Sequence, residues 1–303
     1  VIDFPNIQSP VQYLYSRNGA EVHILREDLL HPLISGNKYR KLKYNLKAFE
    51  DGNYSAILTF GGAYSNHIHA VSAAGRAFGF KTIGVIRGDE LTEKIVQNPT
   101  LTFAESCGME LRFISREKYR QKSESGFLDA VKNEFGNVYI LPEGGTNTAA
   151  VRGCEEIQGN HTFEFDYICC AVGTGGTLAG IINSAKKHQK ILGFPALKNS
   201  EYLYEEIKKY VYNDNFELIH RYHFGGFAKQ NPELIDFINK FKRKFGLTLD
   251  PVYTAKMMFG IEDMILNDYF VEGSKILAVH TGGLQGIVAM NQKLKSKNQP
   301  EIE

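Results

Sequence analysis

The chain has 303 residues, with 35 lysines and arginines against 34 aspartates and glutamates, for a formal charge of +1. That balance carries no electrostatic footprint for nucleic acid or an anionic membrane, and the length suits two globular domains or one large α/β domain. No stretch approaches the roughly 18 apolar residues of a membrane span, and the opening VIDFPNIQSPVQ has neither the basic nor the apolar region of a signal peptide, so a soluble, cytoplasmic protein is expected.

In chain order, VHILRED reads as a strand, and SGNKYRKLKYNLKAF, residues 35 to 49, follows it. Gly36 and Asn37 are breaker and capping types, and Tyr39, Leu42, Leu46 and Phe49 then recur at helical spacing. Lys38 therefore falls in the first turn of a helix. A cation there opposes the peptide dipoles, and Arg40, Lys41 and Lys43 add like charge, so the neutral amine is favoured. A neutral lysine amine is a nucleophile suited to Schiff bases with carbonyls, pyridoxal phosphate among them. An ordinary solvated basic helix is the other reading of this stretch.

Apolar runs near 57–60, 82–86, 111–114 and 138–141 alternate with helical patterns, which predicts parallel βαβ units with helices covering both faces of a sheet. The turn GGAYSNH after the first run puts Ser65 and Asn66 at a helix start, either as plain caps or with exposed N–H groups holding a substrate carboxylate. His67 and His69, spaced i, i+2, face different ways, so no metal site is expected. Residues 114 to 126 read as an exposed loop and helix start. Glu143 to Thr148 reads either as part of a cleft or as a glycine-rich crossover.

A further run, YICCAV, leads into GTGGT, Gly173, Thr174, Gly175, Gly176 and Thr177, and then a helix. Strand, glycine loop and helix make an anion site: backbone N–H groups converge, Thr174 and Thr177 add hydroxyls, and the helix start adds its dipole. A tight strand-to-helix turn remains open as the alternative. The loop lacks the last glycine of a dinucleotide fingerprint and the lysine of a Walker loop, so a monophosphate suits it better. Strands near 167–172, 191–194 and 276–280 form a second set, to which VHILRED belongs. The expectation is an α/β protein of two doubly wound domains with mostly parallel sheets, a larger one from 1–46 plus 150–303 and a smaller inserted one from 47–149. Cys107, Cys154, Cys169 and Cys170 read as reduced and mostly buried thiols, Met257 and Met258 as core, Asp250 as a turn or cap, and the tail KLKSKNQPEIE as solvated.

Taken together, SGNKYRKLKY, GGAYSNH, GTGGT, DPVYTAKMM and HTGG resemble, in this order, the family of 1-aminocyclopropane-1-carboxylate deaminase and D-cysteine desulfhydrase, pyridoxal phosphate enzymes of the tryptophan synthase β-like fold. The resemblance implies that Lys38 carries the cofactor, that Asn66 meets its ring hydroxyl, that residues 173–177 hold its phosphate, and that Tyr253 lies against it. It places Ser65 beside the substrate as nucleophile or base, with Asn66 and His67 in the same substrate-binding stretch. Thr281 falls where a neutral hydroxyl faces the pyridine nitrogen. Thr254 and Thr281 are similar to the desulfhydrase side, whereas the deaminases read PVYE and HLGG. Implied, then, is β-elimination from a D-amino acid, D-cysteine giving pyruvate, ammonia and sulfide, by a homodimer. The deaminase and a cofactor-binding protein with little catalysis are the alternatives, the latter because Phe227 and Tyr64 stand where relatives carry tyrosine and glutamine.

Overall fold

The structure, a computed structural model, describes residues 4–303. Two sheets organise it. The larger has six strands in the order β1-β2-β10-β7-β8-β9: β1 is Val11–Arg17, β2 Ala20–Leu25, β7 Tyr167–Val172, β8 Lys190–Pro195, β9 Phe216–Leu218 and β10 Lys275–Val279. Only the β1–β2 pair is antiparallel. The smaller sheet is all parallel, ordered β5-β4-β3-β6, with β3 at Ala56–Gly61, β4 at Lys81–Arg87, β5 at Glu110–Ile114 and β6 at Val138–Leu141.

Strand alternation divides the core. On β3, Ile57 packs with Ile68 and Ile86 on one face, while Leu58 and Phe60 pack with Ile83, Val85 and Tyr119 on the other. On β10, Ile276 and Ala278 face one helical layer, and Leu277 and Val279 the opposite one. Each fully buried Ile or Leu contributes roughly 1.5–3 kcal/mol, and a strand buried on both faces reads as an unbroken apolar run. All seven expected strands and the VHILRED strand are present. The reading missed β1, which is mostly exposed and joined to β2 through Asn18 and Gly19, both at positive φ. Asn-Gly is the favoured pair for a two-residue hairpin turn. It also missed β9, three residues at the sheet edge.

Helix Asn37–Asp51 buries Tyr39, Leu42, Leu46 and Phe49 in the core beside the smaller sheet. Its N-terminus is fixed by Gly36, at φ 62, where a Cβ would stand 1.9 Å from the Thr281 carbonyl oxygen; no other residue fits. The segment 114–126 forms a short helix, Arg116–Arg120, a turn, and the start of Ser125–Phe135. The tail is solvated over 295–301, as expected, but it is not frayed: Lys293–Lys295 end the helix Gly286–Lys295, and Ile302 is buried. Asn291 exchanges two hydrogen bonds with the Ile302 backbone, and Asn239 holds Glu301 and Glu303. One apolar residue with paired backbone is enough to dock a polar tail. No helix among the described residues is long and apolar enough to cross a membrane.

Candidate active site

A cleft opens where the parallel strands of both sheets end at their carboxyl edges, the usual position for a ligand in open α/β sheets. It holds about 510 Å³, its open mouth included, within the range of small-molecule and cofactor sites. Asn37, Lys38 and Lys41 come from helix Asn37–Asp51, Asn66 from the helix after β3, Gly173–Gly175 and Thr177 from the loop after β7, Tyr253 from the turn before helix Thr254–Leu266, and Thr281 from the turn after β10.

The Lys38 amine is held from its ordinary 10.5 down to about 7, by burial first and by Lys41 next. Its hydrogen-bond partner is the Asn37 Oδ1 at 3.4 Å. The expected shift toward the neutral amine is there, but its cause is corrected. Arg40 turns away to make a bidentate pair with buried Glu27, at 3.0 and 2.9 Å, and Lys43 pairs with Glu156 at 2.7 Å. Neither cation acts on Lys38. Lys41, one turn on, does, and it was not recognised from sequence as a site residue. Its Nζ donates to the Gly144 carbonyl and the Thr146 Oγ1, both at 2.9 Å.

The loop 173–177 has the geometry of a cradle. Gly175 sits at φ 85, and a Cβ there would meet Ile207 at 2.7 Å; a Cβ on Gly176 would meet Thr146 at the same distance. Helix Gly176–Ser184 begins here, so its unpaired N–H groups face the cleft end. Thr177 Oγ1 accepts from Asn37 Nδ2 at 2.8 Å, and the Thr174 and Thr146 hydroxyls pair at 2.6 Å. The stretch 143–148 therefore reaches the site, through Gly144 on the cleft wall and Thr146 behind it.

Asp250 is the cap foreseen: its carboxylate accepts from the backbone N–H groups of Val252, Tyr253 and Thr254. Burial and the nearby Asp250 and Glu143 raise the Tyr253 phenol, so it stays protonated. Phe227 packs edge-on to its ring, centroids 6.0 Å apart. The Thr254 Oγ1 is buried without a partner. Thr281 is buried on a turn braced by His280, whose Nδ1 accepts from Gly282 N–H while Nε2 meets the Thr248 carbonyl.

Three of the sequence candidates lie off the cleft lining, Ser65, His67 and Gly176, the last buried at the helix start behind Gly175. Ser65 caps its helix, its Oγ accepting from the N–H groups of His67 and Ile68 at 3.2 and 3.3 Å. His67 is buried behind the wall against Thr59, at 2.8 Å, and against Gly145. Burial and the two lysines depress its imidazole well below its ordinary value, so it is neutral. His69 stacks on Phe103. Gln285, unmarked in sequence, donates to the Asn66 Oδ1 at 2.8 Å.

A lysine amine poised uncharged opposite a glycine-lined anion cradle, between two parallel sheets, defines a pyridoxal phosphate enzyme of the tryptophan synthase β-like fold. The donor set fits that cofactor: an amine for its aldehyde, N–H groups and hydroxyls for its phosphate, and neutral hydroxyls elsewhere. Residues 4–282 match the model of the family described as "Pyridoxal-phosphate dependent enzyme", and the chain belongs to that family, within its 1-aminocyclopropane-1-carboxylate deaminase and D-cysteine desulfhydrase group. It is 31% identical to a Thermotoga maritima protein named "Putative 1-aminocyclopropane-1-carboxylate deaminase", over 97% of this chain and 99% of that one. It is 29% identical to the Arabidopsis thaliana "Bifunctional D-cysteine desulfhydrase/1-aminocyclopropane-1-carboxylate deaminase, mitochondrial", over 89% of this chain and 74% of that one. A crystal structure of an ACC deaminase homologue superposes with a TM-score of 0.82 at 28% identity, covering 96% of this chain and 94% of that one.

Proposed function

We propose that this enzyme catalyses β-elimination from D-cysteine, releasing pyruvate, ammonia and sulfide with one water consumed. The observation that carries the reading is that, among the described residues, no aspartate or glutamate lines the cleft. Asp250, a buried carboxylate whose charge reaches Lys38 and Tyr253, is committed to three backbone N–H groups. Bound pyridoxal phosphate supplies an aldehyde that takes up amines and a conjugated ring that delocalises the electron pair left at a substrate α-carbon. This lining would offer a bound pyridine ring no acid to protonate its nitrogen, an arrangement suited to loss of a leaving group from the β-carbon.

In this reading Lys38 is the covalent tether, and its freed amine takes the proton from the substrate α-carbon. The backbone and hydroxyls of residues 173–177 would hold the phosphate, with Lys41 as the nearby cation in the cleft wall, bonded to Thr146. Asn66 donates to the ring hydroxyl, and Thr281 and Thr254 present neutral hydroxyls. Tyr253 covers the cofactor, excludes water with Phe227, and has a phenolic proton to give the departing thiolate. Ser65 orders the helix N-terminus that meets the substrate carboxylate. His67 supports the same stretch from behind. A larger unit from 1–46 plus 150–303 and a smaller one from 47–149 are the division we assign, supported by a six-stranded sheet that draws on both ends of the chain, with helix Asn37–Asp51 joining the two by packing its apolar face in the smaller unit's core.

The names of the relatives favour a second reading, deamination of 1-aminocyclopropane-1-carboxylate to 2-oxobutanoate and ammonia. Incubation of the purified holoenzyme with D-cysteine, L-cysteine and 1-aminocyclopropane-1-carboxylate separates the two. Sulfide and pyruvate from D-cysteine support elimination; 2-oxobutanoate from the cyclopropane with no sulfide from either cysteine overturns it.

A further inference from the structure

The Asn66 side chain is an amide, and an amide has a donor end and an acceptor end. Which end it turns to the cleft decides what it recognises there. Asn66 opens the helix after β3 of the smaller sheet, whereas Gln285 follows β10 of the larger one, 219 residues away. Their hydrogen bond crosses between the two sheets, Nε2 of Gln285 donating to Oδ1 of Asn66 at 2.8 Å. With its oxygen engaged, Asn66 has its NH₂ group left to offer the cleft, whose wall it forms. Gly283, at φ 88, completes the arrangement: a Cβ there would stand 2.5 Å from Asn66 Nδ2, so a side chain at 283 would push the amide aside.

We propose that Gln285 is a positioning residue that fixes Asn66 as a hydrogen-bond donor toward the cofactor ring hydroxyl. The inference rests on the reading above that Asn66 meets that hydroxyl. A donor held there by a second amide favours the ionised hydroxyl, whose proton goes to solvent, and strengthens cofactor binding as hydrogen bonds to charged groups do. Gln285 touches neither the cofactor nor the substrate in this arrangement; it acts through Asn66 alone.

Replacing Gln285 by glutamate reverses the polarity. A carboxylate is an acceptor, so the Asn66 amide turns its NH₂ to residue 285 and its oxygen to the cleft, where it faces another oxygen. Cofactor-free Gln285→Glu, Gln285→Leu and Asn66→Ala proteins are titrated with pyridoxal phosphate, following the dissociation constant and the absorption of the bound cofactor. Gln285→Glu is expected to weaken binding roughly tenfold or more and to move the band toward the shorter-wavelength form with a protonated hydroxyl. Gln285→Leu, which frees the amide without reversing it, moves both in the same direction by less. In the Asn66→Ala background Gln285→Glu adds nothing. Circular dichroism and thermal midpoints establish that each variant is folded; should the glutamate variant not fold, the leucine variant decides. If Asn66→Ala shifts the band while both Gln285 variants bind and absorb as the parent does, the positioning role is overturned and the reading of Asn66 stands. A band unmoved in Asn66→Ala refutes the reading of Asn66 itself and takes the proposal with it.

Discussion

Lys38→Met in the cofactor-free protein isolates the cost of burying the tether amine. Folding lowers this amine from 10.5 to about 7, so protonating it in the folded state is penalised relative to the unfolded chain. At about 1.4 kcal/mol per pH unit the ceiling on that penalty is about 5 kcal/mol. The cleft is open to water, which screens the charge, so about 2 kcal/mol is the expected figure. The sign follows from a folded value that is depressed. Below about pH 7 the amine is charged in both states and the full penalty applies. Between about 7 and 10.5 the penalty shrinks as pH rises, and above 10.5 it is gone. Methionine matches the side chain's volume without the charge and also relieves Lys41, which shares the repulsion. Urea unfolding of wild type and variant, at several values from about pH 6 to about pH 10, reads the difference directly. Lys38→Met should be more stable by about 2 kcal/mol at the acid end, with the gap closing toward the alkaline end. A gap of constant size, or a wild type more stable than the variant near pH 6, would refute the account of how the nucleophile is kept available at neutral pH.

Arg40→Met leaves Glu27 charged and wholly buried without its bidentate partner, and urea unfolding should show a loss of about 3–5 kcal/mol. Ile302→Ala, which empties a buried site in the docked tail, should cost about 2–4 kcal/mol and make the last eight or so residues the first site of proteolytic trimming. Lys256 is buried and donates to the His223 and Gly226 carbonyls at 2.9 and 2.8 Å, which anchors the turn carrying Phe227. The chain has no tryptophan, so Phe227→Trp supplies a single tryptophan that can be excited apart from the tyrosines, and adding Lys256→Met should raise its acrylamide quenching by about twofold or more as two buried carbonyls lose their donor.

What could be read along the chain, and what could not, follows from the range of the interactions. Strands β3, β4, β7, β8 and β10 were legible because burial on both faces leaves near-continuous apolar runs, whereas the edge strands β5 and β6 are only partly buried and showed through their place between helical patterns. Strand β1 has Tyr13, Ser16 and Arg17 exposed and only Leu14 buried, which hides that signal; the Asn18–Gly19 turn was the clue available. Lys38 was legible as a residue in a first turn, because Gly36 breaks the chain and apolar spacing follows. The origin of its neutrality was not, since Arg40, Lys41 and Lys43 look alike in a row, and only Glu27 and Glu156, which claim two of them, show which cation is left to act. Gln285 was invisible for the same reason, since it acts on a residue far away in sequence and sits in no pattern of its own; Thr146 lay in the stretch 143–148 that reads as cleft or crossover, but its bond to Lys41 could not be read.

The pair Lys38 and Lys41 shows how one helix can supply two lysines with different protonation. Both are drawn into the same cleft wall, three residues apart, and burial disfavours charge on each. Their partners differ. Lys41 has two oxygen acceptors at 2.9 Å, a carbonyl and a hydroxyl, in good geometry for an ammonium. Lys38 has one amide oxygen at 3.4 Å, beyond the usual range of an N–H to oxygen bond. A charge is therefore better tolerated on Lys41, and its presence there raises the cost of a second charge on Lys38. The two effects reinforce each other: each acceptor that holds Lys41 as a cation also keeps Lys38 neutral. Because Thr146 is one of those acceptors and its hydroxyl in turn pairs with Thr174 in the glycine cradle, the device that frees the nucleophile and the device that receives the anion are one connected set of hydrogen bonds.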